Sequence, residues 1–556
     1  MITSRICQQA LPIAMVVAGC LYAWTPAALG QGPAISSGNP ELDRAHALIE
    51  DERYYDAFGK LAAMVPQMAP EDANRQRAQF ELARVLLKLE LYQSGLRALD
   101  AVEAKPTDPI YANKMGLYLA IQRALPGDLA TIERLSEAPE AVHAADDLAE
   151  IRFLLGRYHF SAGEHTKALE RLTRILPADG VQYLKARYLM GVIYVVLNRA
   201  QPALDAFKDV LRFADQVGRP DYYERNEQMA LMALGRLFYS TGKYEVAGRY
   251  YDRVKEGSEA WLDSLFELGW TYFHLGRFDR VLGQLHTLNS PYFEDRYYPE
   301  ARVLKALILF RTCRFNETLV VVQRFLRDYK PLRKELDVQL GGSRTDAEFY
   351  WYLASLAADK EGLSVQLRRI FHAALNDRSL QRSFALVARL GAEQGRLEKL
   401  ERNTTARAAA TALLNDLGRV RNVMISEAGA MARGRLARVR EELTEIIRQG
   451  LRIKYETLKA RRNSINDAVR EAMARTAATV NEPRARDVEH VVWPFDGSFW
   501  RDELGGYTYD IKSRCEQKHF PGGWKATEGA VGGAKRPPGN ADKPADRAAE
   551  PEAETK

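Results

Sequence analysis

At 556 residues the chain is too long for one compact core and long enough for several domains or one extended repeat array. Its 46% apolar and 27% charged residues are the composition of an ordinary folded protein. A net charge of +6, from 79 basic against 73 acidic side chains, is too small a surplus to argue for nucleic acid, and no nucleic-acid-binding module accompanies it.

The first 30 residues read as a secretory signal. Arg5 supplies a positive start and Ala10 to Trp24 an uncharged apolar run, short for a membrane span. Pro26 breaks it, and Ala28-Leu29-Gly30 offers small residues for cleavage before Gln31. A second reading stays open. Val17-Ala18-Gly19-Cys20 is similar to a bacterial lipobox, in which Cys20 would be lipidated and become the new N-terminus. Either way the expected location is the periplasm or the outer membrane, and no later stretch is long and apolar enough to span a bilayer. Cys313 and Cys515 then remain in the body of the chain. Export would permit a bridge, but nothing in the sequence places them together, and they read as separate thiols.

From residue 40 to 375 a small residue recurs with another twelve positions later: Ala83 with Gly95, Gly156 with Ala168, Gly191 with Ala203, Gly235 with Ala247, Gly269 with Val281, and Ala306 with Thr318. The leading members at 156, 191, 235, 269 and 306 are spaced by about 35, 44, 34 and 37 residues. Four places after the second member stands a large residue: Leu172, Phe207, Tyr251, Leu285 or Val322. Such a pattern predicts antiparallel helix pairs that stack, since one pair cannot bury its own apolar stripe. In spacing and residue type this stretch resembles the tetratricopeptide-repeat family, which implies an all-α solenoid.

The resemblance also implies a binding face. In that family the residues three before, one after and four after the leading small residue line a concave groove. The matching positions are Phe153, Arg157 and Phe160; Tyr188, Val192 and Val195; Met232, Arg236 and Tyr239; Phe266, Trp270 and Phe273; and Val303, Leu307 and Phe310. Aromatic and Arg-bearing surfaces are where binding energy concentrates. The expected occupant is an apolar or amphipathic peptide or helix of an envelope protein. Members of the family that clamp a terminal carboxylate use Lys and Asn here, and this chain does not.

Residues 376–482 predict a long helical, coiled-coil-like region. From about Gly395 to Ala477 there is no proline, and apolar residues recur at three- and four-residue steps through Leu413, Leu417, Val420, Met424, Leu436, Val439, Leu443, Leu451, Tyr455 and Leu458. The seam could close on itself as a helical hairpin, on a second copy, or on a partner. A slip near Gly434 marks either a hairpin turn or a stutter. Arg433, Arg435, Arg438 and Arg440 open a basic stretch reaching Arg462, which suits either acidic lipids and anionic polymers or a solvated helix face.

Residues 483–521 change character. Trp493, Phe495, Phe499 and Trp500 precede Tyr507-Thr508-Tyr509-Asp510-Ile511, which alternates like a short strand. So many aromatics predict a cap folded onto the helices or a docking motif. This segment loosely resembles the ends of exported repeat proteins in the envelope of gliding and predatory Gram-negative bacteria, which implies an envelope or motility assembly. Residues 522–556, rich in Gly, Pro, Ala and mixed charge, predict a disordered tail.

No phosphate-binding loop, dinucleotide fingerprint, His-Glu-x-x-His, paired Cys-x-x-Cys or Gly-x-Ser-x-Gly elbow occurs. The expectation is therefore a protein-binding scaffold without catalytic residues, cofactor or metal. The alternative is an oligomeric strut built by the long helix.

Overall fold

The computed structural model describes residues 39–69, 72–126, 129–216, 221–293, 297–358, 365–375, 377–472 and 498–515. The signal-like start with Cys20 and the tail 522–556 lie outside them. The described residues contain no strand. The fold is an all-α solenoid of tetratricopeptide type followed by a long helix.

Helices follow one another in antiparallel pairs: α1 (Pro40–Glu50) with α2 (Tyr54–Met64), α3 (Ala73–Lys88) with α4 (Tyr92–Asp100), and α5 (Pro109–Ala124) with α6 (Leu129–Glu137). The array continues with α7 (Leu148–Ser161) and α8 (His165–Thr173), α9 (Val181–Val196) and α10 (Ala200–Gln216), α11 (Asp221–Ser240) and α12 (Tyr244–Tyr251), α13 (Trp261–His274) and α14 (Phe278–Leu288), and α15 (Pro299–Arg311) and α16 (Phe315–Leu340). Asn39 starts it by accepting the Glu41 and Leu42 amides on its side chain, with Pro40 at the first helical position.

One turn geometry recurs. At Glu52, Glu90, Gly163, Asn198, Gly242, Gly276 and Cys313 the backbone turns left-handed, with φ between 56° and 78°. The next amide reaches back over the helix end: Arg53 to Leu48, Leu91 to Leu86, Glu164 to His159, Arg199 to Tyr194, Lys243 to Phe238, Arg277 to Tyr272 and Arg314 to Leu309, all at 2.8 or 2.9 Å. This double capping satisfies the orphan carbonyls of the first helix and aims the second helix back along it. Small residues then let the two helices touch. A Cβ added at Gly156 would meet Leu172 at 2.6 Å, and one at Gly191 would meet Phe207 at 2.5 Å. The large residue of the pattern thus sits on the leading glycine of its own pair.

After α17 (Asp346–Ala358) and α18 (Val365–Leu375) come α19 (Arg378–Asn403) and α20 (Arg407–Ala472). These two form a hairpin whose turn lies at Thr404-Thr405-Ala406; Thr411 donates to Glu401 and Arg421 to Gln394 across it. The helix runs unbroken through Gly434, so the slip there is no turn. At 66 residues α20 is about 99 Å long.

Its seam is already covered. Leu436, Val439, Leu443, Ile446 and Ile447 are buried with Val322, Phe325, Phe349 and Ile370 of the last repeats. Nearer the hairpin turn, Leu390, Leu397, Leu400, Ala410 and Leu417 are buried with Leu42, Phe58, Leu61 and Leu86 of the first repeats. The hairpin therefore braces one end of the solenoid against the other. Polar contacts fix the register. The Glu393 carboxylate, on a side chain 1% exposed, accepts the Gln93 amide and the Ser94 amide and hydroxyl at 3.0, 3.0 and 2.9 Å. Arg433 donates to Asp346 at 2.9 Å and stacks over Phe349, which gives that member of the basic stretch an intramolecular partner.

Residues 498–515 form a strap over α13 and α14. Leu504 is buried in the core, Phe499 stacks on His286, and the Tyr509 amide donates to the Asp279 carbonyl. The alternation at 507–511 thus marks no strand, because its backbone bonds to a helix rather than to another extended chain. Cys515 is joined to Cys313 in a disulfide, with Cα atoms 5.1 Å apart. This corrects the expectation of two separate thiols. A sequence separation of 202 hid a closeness that only the docked strap creates.

Candidate protein-binding groove

The first helices of the central pairs, α7, α9, α11, α13 and α15, carry the groove positions. Steps of four and three residues put each set, such as Phe266, Trp270 and Phe273, on one helix face. Most of these side chains are half-buried, neither sealed in the core nor free in solvent: Phe153, Arg157, Phe160, Tyr188, Tyr239, Phe266, Trp270, Phe273 and Phe310. Met232 is the exception. It is 4% exposed within the core, so it offers no surface and drops out of the candidate set. Val303 and Leu307, each 7% exposed, are likewise core.

Contacts run both between these helices and along them. Lys185 of α9 lies 5.9 Å from the Phe153 ring, and Tyr188 packs on Phe207 at 5.6 Å. Tyr239 hydrogen-bonds His274 at 3.1 Å, and His274 stacks on Tyr244 at 4.5 Å. Phe266 packs on Tyr298, Trp270 on Phe273, and Phe310 on Phe315. The Arg311 guanidinium sits 5.6 Å from the Phe273 ring. These rings hold one another in place, so little side-chain freedom is left for a partner to freeze.

The two arginines differ. Arg236 is locked by Glu267, which accepts from its Nη2 at 2.6 Å and its Nε at 2.9 Å. Its side chain keeps 45% exposure, yet surrounding protein desolvates it; the Glu267 carboxylate, with Tyr251 and Tyr188 adding, outweighs this and holds the guanidinium pKa above its ordinary value. Open to solvent and ringed by protein is the condition of a concave floor. Arg157 has no ion pair among the described residues. Burial weakens its hold on the proton, and the like charge of Arg382 on α19 adds to this. Burial also holds the His274 imidazole below its ordinary value, with Arg311 contributing, so neutral rings dominate the groove, and Arg157 is a cation in it with no ion pair among the described residues.

Sequence reasoning missed the link between Arg157 and the C-terminal hairpin, since periodicity says nothing of which distant helix arrives. The turn is marked in the sequence by Gly163, Gly242 and Gly276, but not in the pairs where Glu52, Glu90, Asn198 and Cys313 stand in place of that glycine.

No family model matches the chain, and no curated protein does. Among solved structures, the apo form of RapI is 13% identical, with 60% of this chain covering 97% of that one and a TM-score of 0.34. Yeast Tom70 is 15% identical, with coverages of 78% and 85% and a TM-score of 0.26. A tetratricopeptide repeat protein from Parabacteroides merdae is 13% identical, with coverages of 51% and 90% and a TM-score of 0.22. Superpositions this loose carry no argument; the solenoid rests on the helix pairs and turns described above.

Proposed function

We propose that this protein is an exported scaffold that binds another protein in the groove of α7–α15, and that it works by holding its partner rather than by catalysis. The observation that carries the reading is that each of α7, α9, α11, α13 and α15 offers at least one half-buried aromatic at these positions, from Phe153 to Phe310. The occupant that fits is an apolar or amphipathic segment with a carboxylate for Arg157. The proposed location is the periplasm or the outer membrane, in an envelope complex serving transport or motility. The Cys313–Cys515 disulfide supports an oxidising compartment.

The test is retention of envelope proteins by wild-type chain and by the Trp270→Ser, Phe273→Ser double variant, after both give equal helicity by circular dichroism. A protein held by wild type, lost by the double variant and weakened by Arg157→Glu supports the groove. Equal retention by all three sinks it.

The strut reading is weaker, because the seam through Leu436 and Leu443 is spent on the chain's own repeats. Leu443→Pro is accordingly expected to break the fold itself and not merely an oligomer.

A further inference from the structure

Beyond Ile447 the long helix stays docked on one side only. Gly450 lies against the Phe325 ring, with a Cβ there meeting Cε1 at 2.9 Å, and Thr457 is fully buried. The opposite side faces outward. Leu451, Tyr455 and Leu458, at steps of four and three, form one stripe with exposures of 40%, 64% and 48%. Basic side chains flank it on the solvent side: Arg448, Arg452, Lys459, Arg461 and Arg462 are all exposed. Arg448 also pairs with Glu445 at 3.2 Å. With Lys454, the stretch 445–462 holds six basic residues against two acidic ones, Glu445 and Glu456, a net +4 where the whole chain carries +6.

We propose that this outward face of α20 docks on the surface of an anionic phospholipid bilayer. Charge complementarity sets the sign of the partner, since a face this basic repels a basic one and gains little from a neutral one. Size argues for a bilayer over a protein. Three apolar side chains over two turns fall well short of the roughly 800 Å² per partner of a stable protein interface. A bilayer asks for less: shallow entry of a few apolar side chains, plus attraction of each nearby basic residue to acidic headgroups. Leu451, Tyr455 and Leu458 supply the first and the flanking arginines and lysines the second. Because the other side of the helix is packed on α16, the face is presented rigidly rather than folded on contact. Docking there would hold the solenoid beside a membrane without a spanning helix; no described helix is long and apolar enough to cross one.

The experiment is co-sedimentation of the full chain with phosphatidylcholine vesicles, with and without phosphatidylglycerol. Two variants accompany wild type: Leu451→Ser, Tyr455→Ser, Leu458→Ser together, and Arg448→Gln, Arg452→Gln, Lys459→Gln together. All these positions are exposed, and circular dichroism verifies that the helices persist. Wild type is expected to pellet with the phosphatidylglycerol vesicles alone, less so as salt rises, and each variant to bind on the order of tenfold more weakly. Equal pelleting with both vesicle types, or by all three proteins, overturns the proposal. So does loss in the charge variant alone, which would mean adsorption by charge without entry of the Leu451, Tyr455 and Leu458 stripe. Sedimentation velocity on the same samples closes the remaining route: a wild-type dimer that the serine variant dissociates would show the stripe belongs to a second copy.

Discussion

Gly235 of α11 is covered by the ring of Tyr251 of α12, so that a Cβ at 235 would stand 2.4 Å from Tyr251 Cε1. Tyr251 is 2% exposed and cannot swing away without opening the core. Gly235→Ala is therefore expected to overpack the helix pair and cost about 1–3 kcal/mol. Gly269, whose nearest neighbours would be 3.8 Å from an added Cβ, is the control: Gly269→Ala is expected to be nearly neutral. Urea unfolding followed by circular dichroism checks both, and equal effects at the two positions would refute the packing account.

The strap rests on few buried atoms. Leu504 is its one side chain within the core among the described residues, and Gly283 lies so close beneath Tyr507 that an added Cβ would fall 1.6 Å from its carbonyl oxygen. Closing a loop with a sequence separation of 202 is worth about 5 kcal/mol in the chain-entropy model. Cys515→Ser, or reduction, is expected to leave helix content unchanged while making Arg501 accessible to trypsin. Gly283→Ala is expected to lift the strap locally with the disulfide intact. Limited proteolysis read by mass spectrometry distinguishes them; protection that survives reduction would mean the strap holds by its own contacts.

Glu393 gives a pH-dependent contribution whose direction can be worked out. Burial raises its pKa above the ordinary 4.5, although its three donors and Arg396 pull the other way. The folded chain then binds this proton more tightly than the unfolded chain. The associated stability is full below about 4.5 and is lost as pH rises through the elevated folded value. Against a Glu393→Gln variant, which does not titrate there, wild type is expected to lose stability over that window. Glu393→Ala strands two buried amides and a hydroxyl, and is expected to cost about 3 kcal/mol and loosen α19 from α4. Urea midpoints measured across pH check both; a wild type that gains on the Gln variant as pH rises would mean the donors outweigh burial.

The repeat was legible because close packing demands a small residue at one place and a large one sixteen positions on, as at Gly156 with Leu172 and Gly191 with Phe207. The groove positions followed from that register, but Met232 shows the limit: the same helix face grades from floor to core within one turn. Other features were hidden by long range. The period of Leu436, Val439 and Leu443 announces an apolar face without saying that Phe325 and Phe349 cover it. Nor does sequence bring Cys515 to Cys313, since their meeting depends on where the strap docks on α13 and α14.

A solenoid with free ends behaves as a spring: it opens and closes its curvature at small cost, and its terminal repeats fray one at a time. Here the α19–α20 hairpin ties the first pairs to the last, with Leu397 and Leu61 in one core at one end and Leu443 and Phe325 in another at the other. The spring is cross-braced. Stretching it, or peeling off an end repeat, would require breaking contacts at both ends together, so the proposed groove is held at a preset aperture.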